Sequence, residues 1–363
     1  MGKSEAGLAD ITHWIAGKHA AADASRTGDV FNPATGDVTG LVRYADAATV
    51  DQAVSAARDA FSAWSETSAQ NRARVMFRFK ELLERNLDAL ATIITQQHGK
   101  VLSDAKGEVQ RGIEVVEFAC GAPQLLKTQY SDNIGGAIDN FSLRQPLGVV
   151  AGITPFNFPA MVPMWMFPLA LVTGNTFILK PSERDPSASL LLAELLQQAG
   201  LPDGAFNVVQ GDKVAVDAIL QHRDIAAVSF VGSTAVAQYI HAEGTRHGKR
   251  VQALGGAKNH MVVMPDADLD VAADALIGAA YGSAGERCMA ISVCVAVGDV
   301  ADPLIEKLQA RIERLRIDDG MQPDADIGPV VTAAHKQKIE SYIDDGIACG
   351  ARIVSDGRAL SVV

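Results

Sequence analysis

Cys288 ends the segment GSAGERC (282–288), with Arg287 beside it and glycines at 282 and 285. A thiol is a strong nucleophile only as its thiolate, and at an ordinary pKa of about 8.5 only a few per cent is ionised near neutrality. A neighbouring cation or a helix N-terminus raises that share, so Arg287 makes Cys288 the candidate for covalent chemistry. The plainer alternative is a buried structural cysteine, the reading given to Cys120, Cys294 and Cys349. Cys294 lies in AISVCVAV, an apolar run that reads as a core strand.

Three other segments carry groups suited to a cofactor or an oxyanion. Asn157 in TPFNFP (154–159) follows a predicted strand, at the edge where α/β sheets bind ligands. Its amide N–H can steady a developing oxyanion; otherwise it is a turn asparagine. Lys180-Pro181-Ser182-Glu183 closes the next strand. A carboxylate there can hold ribose hydroxyls and the lysine a sugar or a phosphate; otherwise the group is a solvated charge cluster. FVGST (230–234) runs from strand to helix, so backbone N–H groups and the Ser233 hydroxyl can meet a phosphate. Many strand–turn–helix joints look the same.

The elements around these residues form a pattern. Short apolar runs at 148–154, 176–180, 206–210, 227–232 and 260–264 alternate with helical stretches near 160–173, 187–199, 213–221 and 234–243. That alternation predicts parallel strands joined by crossover helices. The G-x-G-x-x-G fingerprint is absent, so any phosphate site is built differently. Upstream, 12–45 reads as strands and turns, with FNPATGD as a turn signal. Helices are predicted over 50–64, 72–95 and 103–119, the first with a capping box at Thr49-x-x-Gln52. Residues 128–146 read as an extended arm or a long loop.

Composition narrows the classes. The 363 residues are 48% hydrophobic and 21% charged, which fits a packed globular protein of about two domains. A net charge of -11 argues against a nucleic-acid partner. The four cysteines show neither CxxC pairs nor Cys/His metal spacing, so no metal is expected and the thiols read as reduced. The opening MGKSEAGLADITHW lacks the apolar core of a signal peptide. The most apolar stretch, 158–172, holds three prolines and is too short to span a bilayer. A soluble cytoplasmic protein with no membrane partner is expected.

Taken in order, TPFNFP, KPSE, AGLPDGAFNVVQG (199–211), FVGST, LGGAKNH (254–260) and GERC resemble the aldehyde dehydrogenase superfamily, from about residue 12 to 357. The resemblance implies an α/β fold with an open parallel-sheet NAD-binding domain (1–127 and 147–252). It also implies an oligomerisation arm (128–146) and a catalytic domain (253–363) that is incomplete. It makes Cys288 the nucleophile and Asn157 the oxyanion-hole amide. Lys180 and Glu183 become adenosine-ribose binders and Ser233 a pyrophosphate contact. Thr154, Phe156 and Arg184 would line the cofactor cleft.

Hydrolytic members usually carry Glu-Leu-Gly-Gly, whose glutamate activates water; here the segment is Ala253-Leu254-Gly255-Gly256. A coenzyme A thiol is then the expected acyl acceptor. GAKNH, PFNFPAMVPMWMFP (155–168), RGIEVVEFACGAP (111–123) and GSAGERCMA (282–290) resemble the coenzyme A-acylating methylmalonate-semialdehyde dehydrogenase branch. That implies a small semialdehyde acid as substrate, NAD as cofactor, coenzyme A as co-substrate and a homo-oligomer. Arg287 and Arg111 would bind the substrate carboxylate. The alternatives are a hydrolytic dehydrogenase of broader specificity and an inactive member. The resemblance ends at Asp356-Gly357-Arg358 and ALSVV departs from it. On that reading the chain lacks a Glu-x-Phe-Gly-Pro nicotinamide-ribose motif, and is expected to aggregate and to turn over little.

Overall fold

The computed structural model describes residues 2–3, 8–20, 26–360 and 362. Residues 4–7 of the opening stretch, 21–25 of the predicted strand-and-turn segment, and 361 and 363 of ALSVV lie outside the described residues.

Six short strands come first: β1 (Gly2–Lys3), β2 (Ala9–Ile11), β3 (His13–Ile15), β4 (Lys18–Ala20), β5 (Thr27–Phe31) and β6 (Val38–Arg43). Helices α1 (Ala47–Glu66), α2 (Ala69–Arg85), α3 (Leu87–His98) and α4 (Leu102–Cys120) come next, then the single turn α5 (Ala122–Leu125). Two local expectations are corrected here. The cap of α1 is Asp46, not Thr49: Asp46 Oδ1 accepts from both the N–H and the hydroxyl of Thr49, each at 2.8 Å. A carboxylate is the stronger acceptor at the positive end of a helix. The predicted helix over 72–95 is two helices broken at Asn86. Its side-chain amide donates to the Leu82 carbonyl at 2.8 Å, offering that carbonyl a partner outside the helical ladder.

Within 128–146, β7 (Tyr130–Ser131) and β8 (Asn140–Phe141) form an exposed antiparallel hairpin. Asp139 braces it, accepting from the Tyr130 hydroxyl at 2.6 Å and the Asn133 N–H at 3.0 Å.

The next stretch alternates as expected: β9 (Val149–Ile153), α6 (Met161–Val172), β10 (Thr176–Lys180), α7 (Ser187–Gln198), β11 (Phe206–Val208), α8 (Lys213–Gln221), β12 (Ile225–Val231), α9 (Thr234–Arg246) and β13 (Arg250–Leu254). Their sheet has the order β13-β12-β9-β10-β11-β3-β4. The five strands from β9 to β13 are parallel, and the β3–β4 hairpin joins antiparallel at one edge. The chain runs from β9 outward through β10 to β11, then returns to the other side of β9 with β12. Strand order therefore reverses at β9, and open α/β sheets bind ligands beyond the carboxyl ends at such a point. Those ends carry Thr154, Lys180 and Gly232.

Two compact units contain these elements. The first comprises 1–30, 39–90 and 106–255; the second comprises 31–38, 91–105 and 256–363. Segments 31–38 and 91–105, given to the NAD-binding domain on sequence, thus cluster with the segment that bears GERC. In the first unit, every residue of β9 and β10 is buried. Phe167 sits at the centre of an aromatic cluster, 4.8 Å from Phe206 and 6.3 Å from Phe177 between ring centroids.

The second unit holds β14 (Asn259–Val263), α10 (Leu269–Tyr281), β15 (Ile291–Ala296), α11 (Ala301–Ile312) and α12 (Ala333–Ala348). β14 and β15 pair in parallel. Val263, Ala272, Ala273, Leu276, Val300 and Leu304 make a small core. The expected strand at Cys294 is present, but Cys294 is exposed. A strand is buried only where layers cover both its faces. In β15 the core touches the two ends, Ile291 and Ala296, and leaves the middle open. No helix among the described residues is long and apolar enough to cross a membrane.

Candidate active site

The loop bearing Asn157 is fixed at both ends. At its start the Thr154 N–H donates to the Lys180 carbonyl at 3.1 Å, tying the tips of β9 and β10 together. At its far end α6 begins without a side-chain cap of its own. The buried Glu108 supplies one from α4: its Oε1 accepts the N–H groups of Ala160 at 2.9 Å and Met161 at 3.1 Å. A carboxylate at the positive end of a helix is favourable, and here it also satisfies two amides. Where α4 passes α6, residue 112 is glycine, and the end of the Met164 side chain occupies the place a Cβ would take. Asn157 itself is half-buried between these ties.

Next to it, the Arg184 guanidinium lies over the Phe156 ring, 5.1 Å from its centroid, in cation–π range. Lys180 Nζ is 3.0 Å from Glu183 Oε2, with the lysine buried and the carboxylate partly exposed. Burial pushes the Glu183 carboxyl up, but the Lys180 ammonium and a backbone N–H outweigh it, so Glu183 stays ionised below its usual range. An ionised, partly exposed carboxylate at a strand tip can accept two sugar hydroxyls.

Ser233 is the exposed N-cap of α9, and its hydroxyl makes no capping bond. The preceding Gly232 N–H donates to the Leu254 carbonyl at 3.1 Å, which fixes where α9 starts relative to β13. A Cβ on Gly255 would sit 3.2 Å from Thr234 Cα, so bare backbone lines this corner. An exposed helix start with glycines around it and an uncommitted hydroxyl fits a phosphate. The sequence-predicted cofactor residues thus all lie at the carboxyl edge of one sheet. Ala253 is on β13, paired with Phe230; its methyl can neither take nor give a proton. Arg111 is exposed on α4, three residues from Glu108.

In the second unit, Cys288 occupies a tight turn. The Ala290 N–H donates to the Arg287 carbonyl at 3.1 Å, which puts Cys288 and Met289 at the corner positions. The side-chain amide of Asn259, at the start of β14, donates to the carbonyls of both Cys288 and Ala290 at 2.9 Å. Cys288 is half-buried, whereas Cys120 is buried and its thiol is pushed up to about 11 by burial, which keeps it protonated and inert.

Before the turn, α10 stops at Tyr281 and the backbone takes a left-handed course. Ser283 has φ +54°, Ala284 φ +52° and Gly285 φ +76°. For the two non-glycine residues this conformation costs on the order of 1 kcal/mol each or more. The Arg287 guanidinium is engaged: Nη2 is 2.7 Å from Asp104 Oδ2, and Nη1 donates to the Gly278 carbonyl at 3.3 Å. It folds back over Gly282, where a Cβ would lie 2.6 Å from it.

Glu108, Asn259, Asp104 and Glu286 carry no signal in the sequence that marks them for these roles. Asn259 stands inside GAKNH and Glu286 inside GERC, but nothing local distinguishes either from an ordinary polar residue.

The model of the aldehyde dehydrogenase family matches residues 20–362. The chain belongs to the aldehyde dehydrogenase family. Within it, the chain is 59% identical to malonate-semialdehyde dehydrogenase of Pseudomonas aeruginosa over 356 residues, which is 98% of this chain and 71% of that protein. It is 51% identical to malonate-semialdehyde dehydrogenase of Halalkalibacterium halodurans, over 96% of this chain and 72% of that one. Among solved structures it resembles a putative methylmalonate-semialdehyde dehydrogenase from Sinorhizobium meliloti complexed with NAD. The TM-score there is 0.96 at 54% identity, covering 98% of this chain and 72% of that one. The methylmalonate-semialdehyde dehydrogenase of Oceanimonas doudoroffii gives 0.95 at 55% identity, over 97% and 72%. The aldehyde dehydrogenase fold, with its mixed α/β parallel sheet, is therefore that of this chain.

Proposed function

We propose that this chain carries the machinery for NAD-dependent oxidation of malonate or methylmalonate semialdehyde, with transfer of the acyl group to coenzyme A. The observation that carries the reading is Cys288, a half-buried thiol at the corner of a turn whose carbonyls are fixed by Asn259. The names of the relatives give the substrate class.

NAD⁺, when bound, supplies a hydride acceptor. Lys180 and Glu183 suit its adenosine ribose, Ser233 its pyrophosphate, and Thr154, Phe156 and Arg184 the walls of its cleft. The Cys288 sulfur adds to the aldehyde carbon, and the N–H of the Asn157 amide steadies the oxyanion so formed. Loss of the aldehyde hydrogen with its electron pair leaves a thioester on Cys288. The substrate carboxylate is then β to a thioester carbonyl, which delocalises the electrons released when carbon dioxide departs; a proton replaces it. Coenzyme A exchanges its thiol for that of Cys288 and leaves as propionyl- or acetyl-coenzyme A. Ala253 supports this acceptor over water, because a methyl group cannot activate a water molecule.

Arg287 is the group for the substrate carboxylate, and Arg111 a second candidate. A guanidinium has five N–H donors, so Arg287 can keep Asp104 and still bind a carboxylate. The 128–146 hairpin, with Tyr130, Ile138, Phe141 and Leu143 exposed, is read as the arm through which copies of the chain associate. A monomer by light scattering would contradict that part.

The test is NADH formation from the semialdehyde acid with and without coenzyme A. Whatever NADH is formed, an acyl-coenzyme A is expected as the main product when coenzyme A is present. Free acid as the main product in its presence would refute the acceptor.

A further inference from the structure

Glu286 lies two residues before Cys288, and its side chain is 3% exposed. An ionised carboxylate at such depth is costly unless basic groups face it. Two imidazoles face the Glu286 carboxyl: His98 Nε2 is 3.5 Å from one oxygen, and His335 Nε2 is 3.2 Å from the other. His98 ends α3, and His335 is in the first turn of α12, whose cap Thr332 accepts its N–H at 3.2 Å. Lys100 is buried as well, close enough for its charge to act on His98. Burial, then the charges of Lys100 and His335, hold His98 well below its ordinary pKa, so His98 is neutral here.

The same short stretch grips the following residue as well, since Asp104 holds Arg287 at 2.7 Å. It is itself hard to move. A Cβ on Gly99 would lie 2.7 Å from the Pro329 carbonyl oxygen, and one on Gly320 would lie 2.5 Å from that of Lys100. The Leu102 N–H donates to the Gly320 carbonyl at 3.0 Å. Backbones therefore cross here almost without side chains between them. Against this rigid floor stands the strained turn at Ser283 and Ala284, which would relax if nothing opposed it. Glu286 is the first residue after that turn.

We propose that Glu286 is a positioning residue for the nucleophile: buried between His98 and His335, it holds the left-handed turn at 283–285 in place and so sets where the Cys288 thiol points. Asn259 fixes the far side of the same loop. The role rests on the reading of Cys288 as the nucleophile, but the anchor is measurable without it.

Glu286→Gln removes the carboxyl group and keeps the shape. His335→Gln removes one partner from a partly exposed position, and so tests the anchor where the first variant unfolds. Amide hydrogen exchange, resolved by peptide, is measured on both variants and on the unsubstituted chain. Exchange over 283–290 is expected to accelerate about tenfold or more, with β9, β10 and β12 unchanged. Catalytic assays of the same variants are expected to show kcat down about tenfold and KM within about twofold, the mark of a displaced nucleophile. Unchanged exchange over 283–290 in both variants, or equal acceleration throughout both units, overturns the anchor. Exchange decides this whether or not the chain turns over. An acyl adduct on a cysteine other than Cys288 counts against the nucleophile reading, separately from the anchor.

Discussion

The sheet of the first unit that holds β10 and the β14–β15 pair of the second use similar residues in different circumstances. β10 (TFILK) and β15 (ISVCVA) are both apolar, β-branched-rich runs flanked by polar turns. All five residues of β10 are buried between helices, while the middle of β15 is open, with Val295 42% exposed. Its partner β14 leaves Val262 57% exposed. Hydropathy identifies a strand, but the layers packed on it decide what each side chain contributes. The difference also separates two ways of holding a site. The strand tips of the first unit rise from a buried sheet, with Glu108 fixing the Asn157 loop, whereas the Cys288 turn is held by the polar side chains of Asn259, Asp104 and Glu286.

The sharpest contrast is energetic. Phe177 on β10 is 2% exposed and packs against Phe167 and Phe206. Phe177→Ala is expected to cost about 3–5 kcal/mol. Val295→Thr on β15 is expected to change stability by less than about 0.5 kcal/mol and to reduce self-association. Denaturant titration with light scattering checks both. Similar losses for the two substitutions would show that β15 is covered in solution.

Acid sharpens the comparison from another side. His13 on β3 is fully buried, and burial, only partly opposed by Asp46, lowers its pKa from 6.5 to about 4. The unfolded chain takes up this proton near 6.5 and the folded one only near 4. Stability is therefore complete above about 6.5 and is lost as pH falls towards 4. The loss is on the order of 3 kcal/mol. His13→Gln should flatten that slope for the first unit, read from stability measured at a series of pH values. An unchanged slope would mean that His13 is protonated in the folded state.

The strands of the first unit, their crossover helices and the residues at their carboxyl tips are legible from the sequence, because each depends on local period and on the few residues just past a strand's end. Asp46 in place of Thr49 and the break at Asn86 are near misses, decided by single side-chain hydrogen bonds. The anchors are a different matter. Glu108 reaches amides 52 and 53 residues away, and Asn259 carbonyls 29 and 31 residues away. No periodicity records such a partner. Nor does composition show that 91–105 packs with the unit carrying Cys288, since its helix reads like its neighbours. Arg287 is legible as the cation beside the thiol, but its engagement by Asp104 is not.

The proposed chemistry passes through one sulfur, that of Cys288. The chain is incubated with malonate semialdehyde and NAD⁺ without coenzyme A, quenched in acid, digested and measured by mass spectrometry, with a second sample chased by coenzyme A before quenching. An acetyl thioester on Cys288 alone, discharged by the chase, is the expected result. An adduct on Cys120, Cys294 or Cys349, or NADH formed with Cys288 unmodified and unneeded in a Cys288→Ala chain, would contradict it.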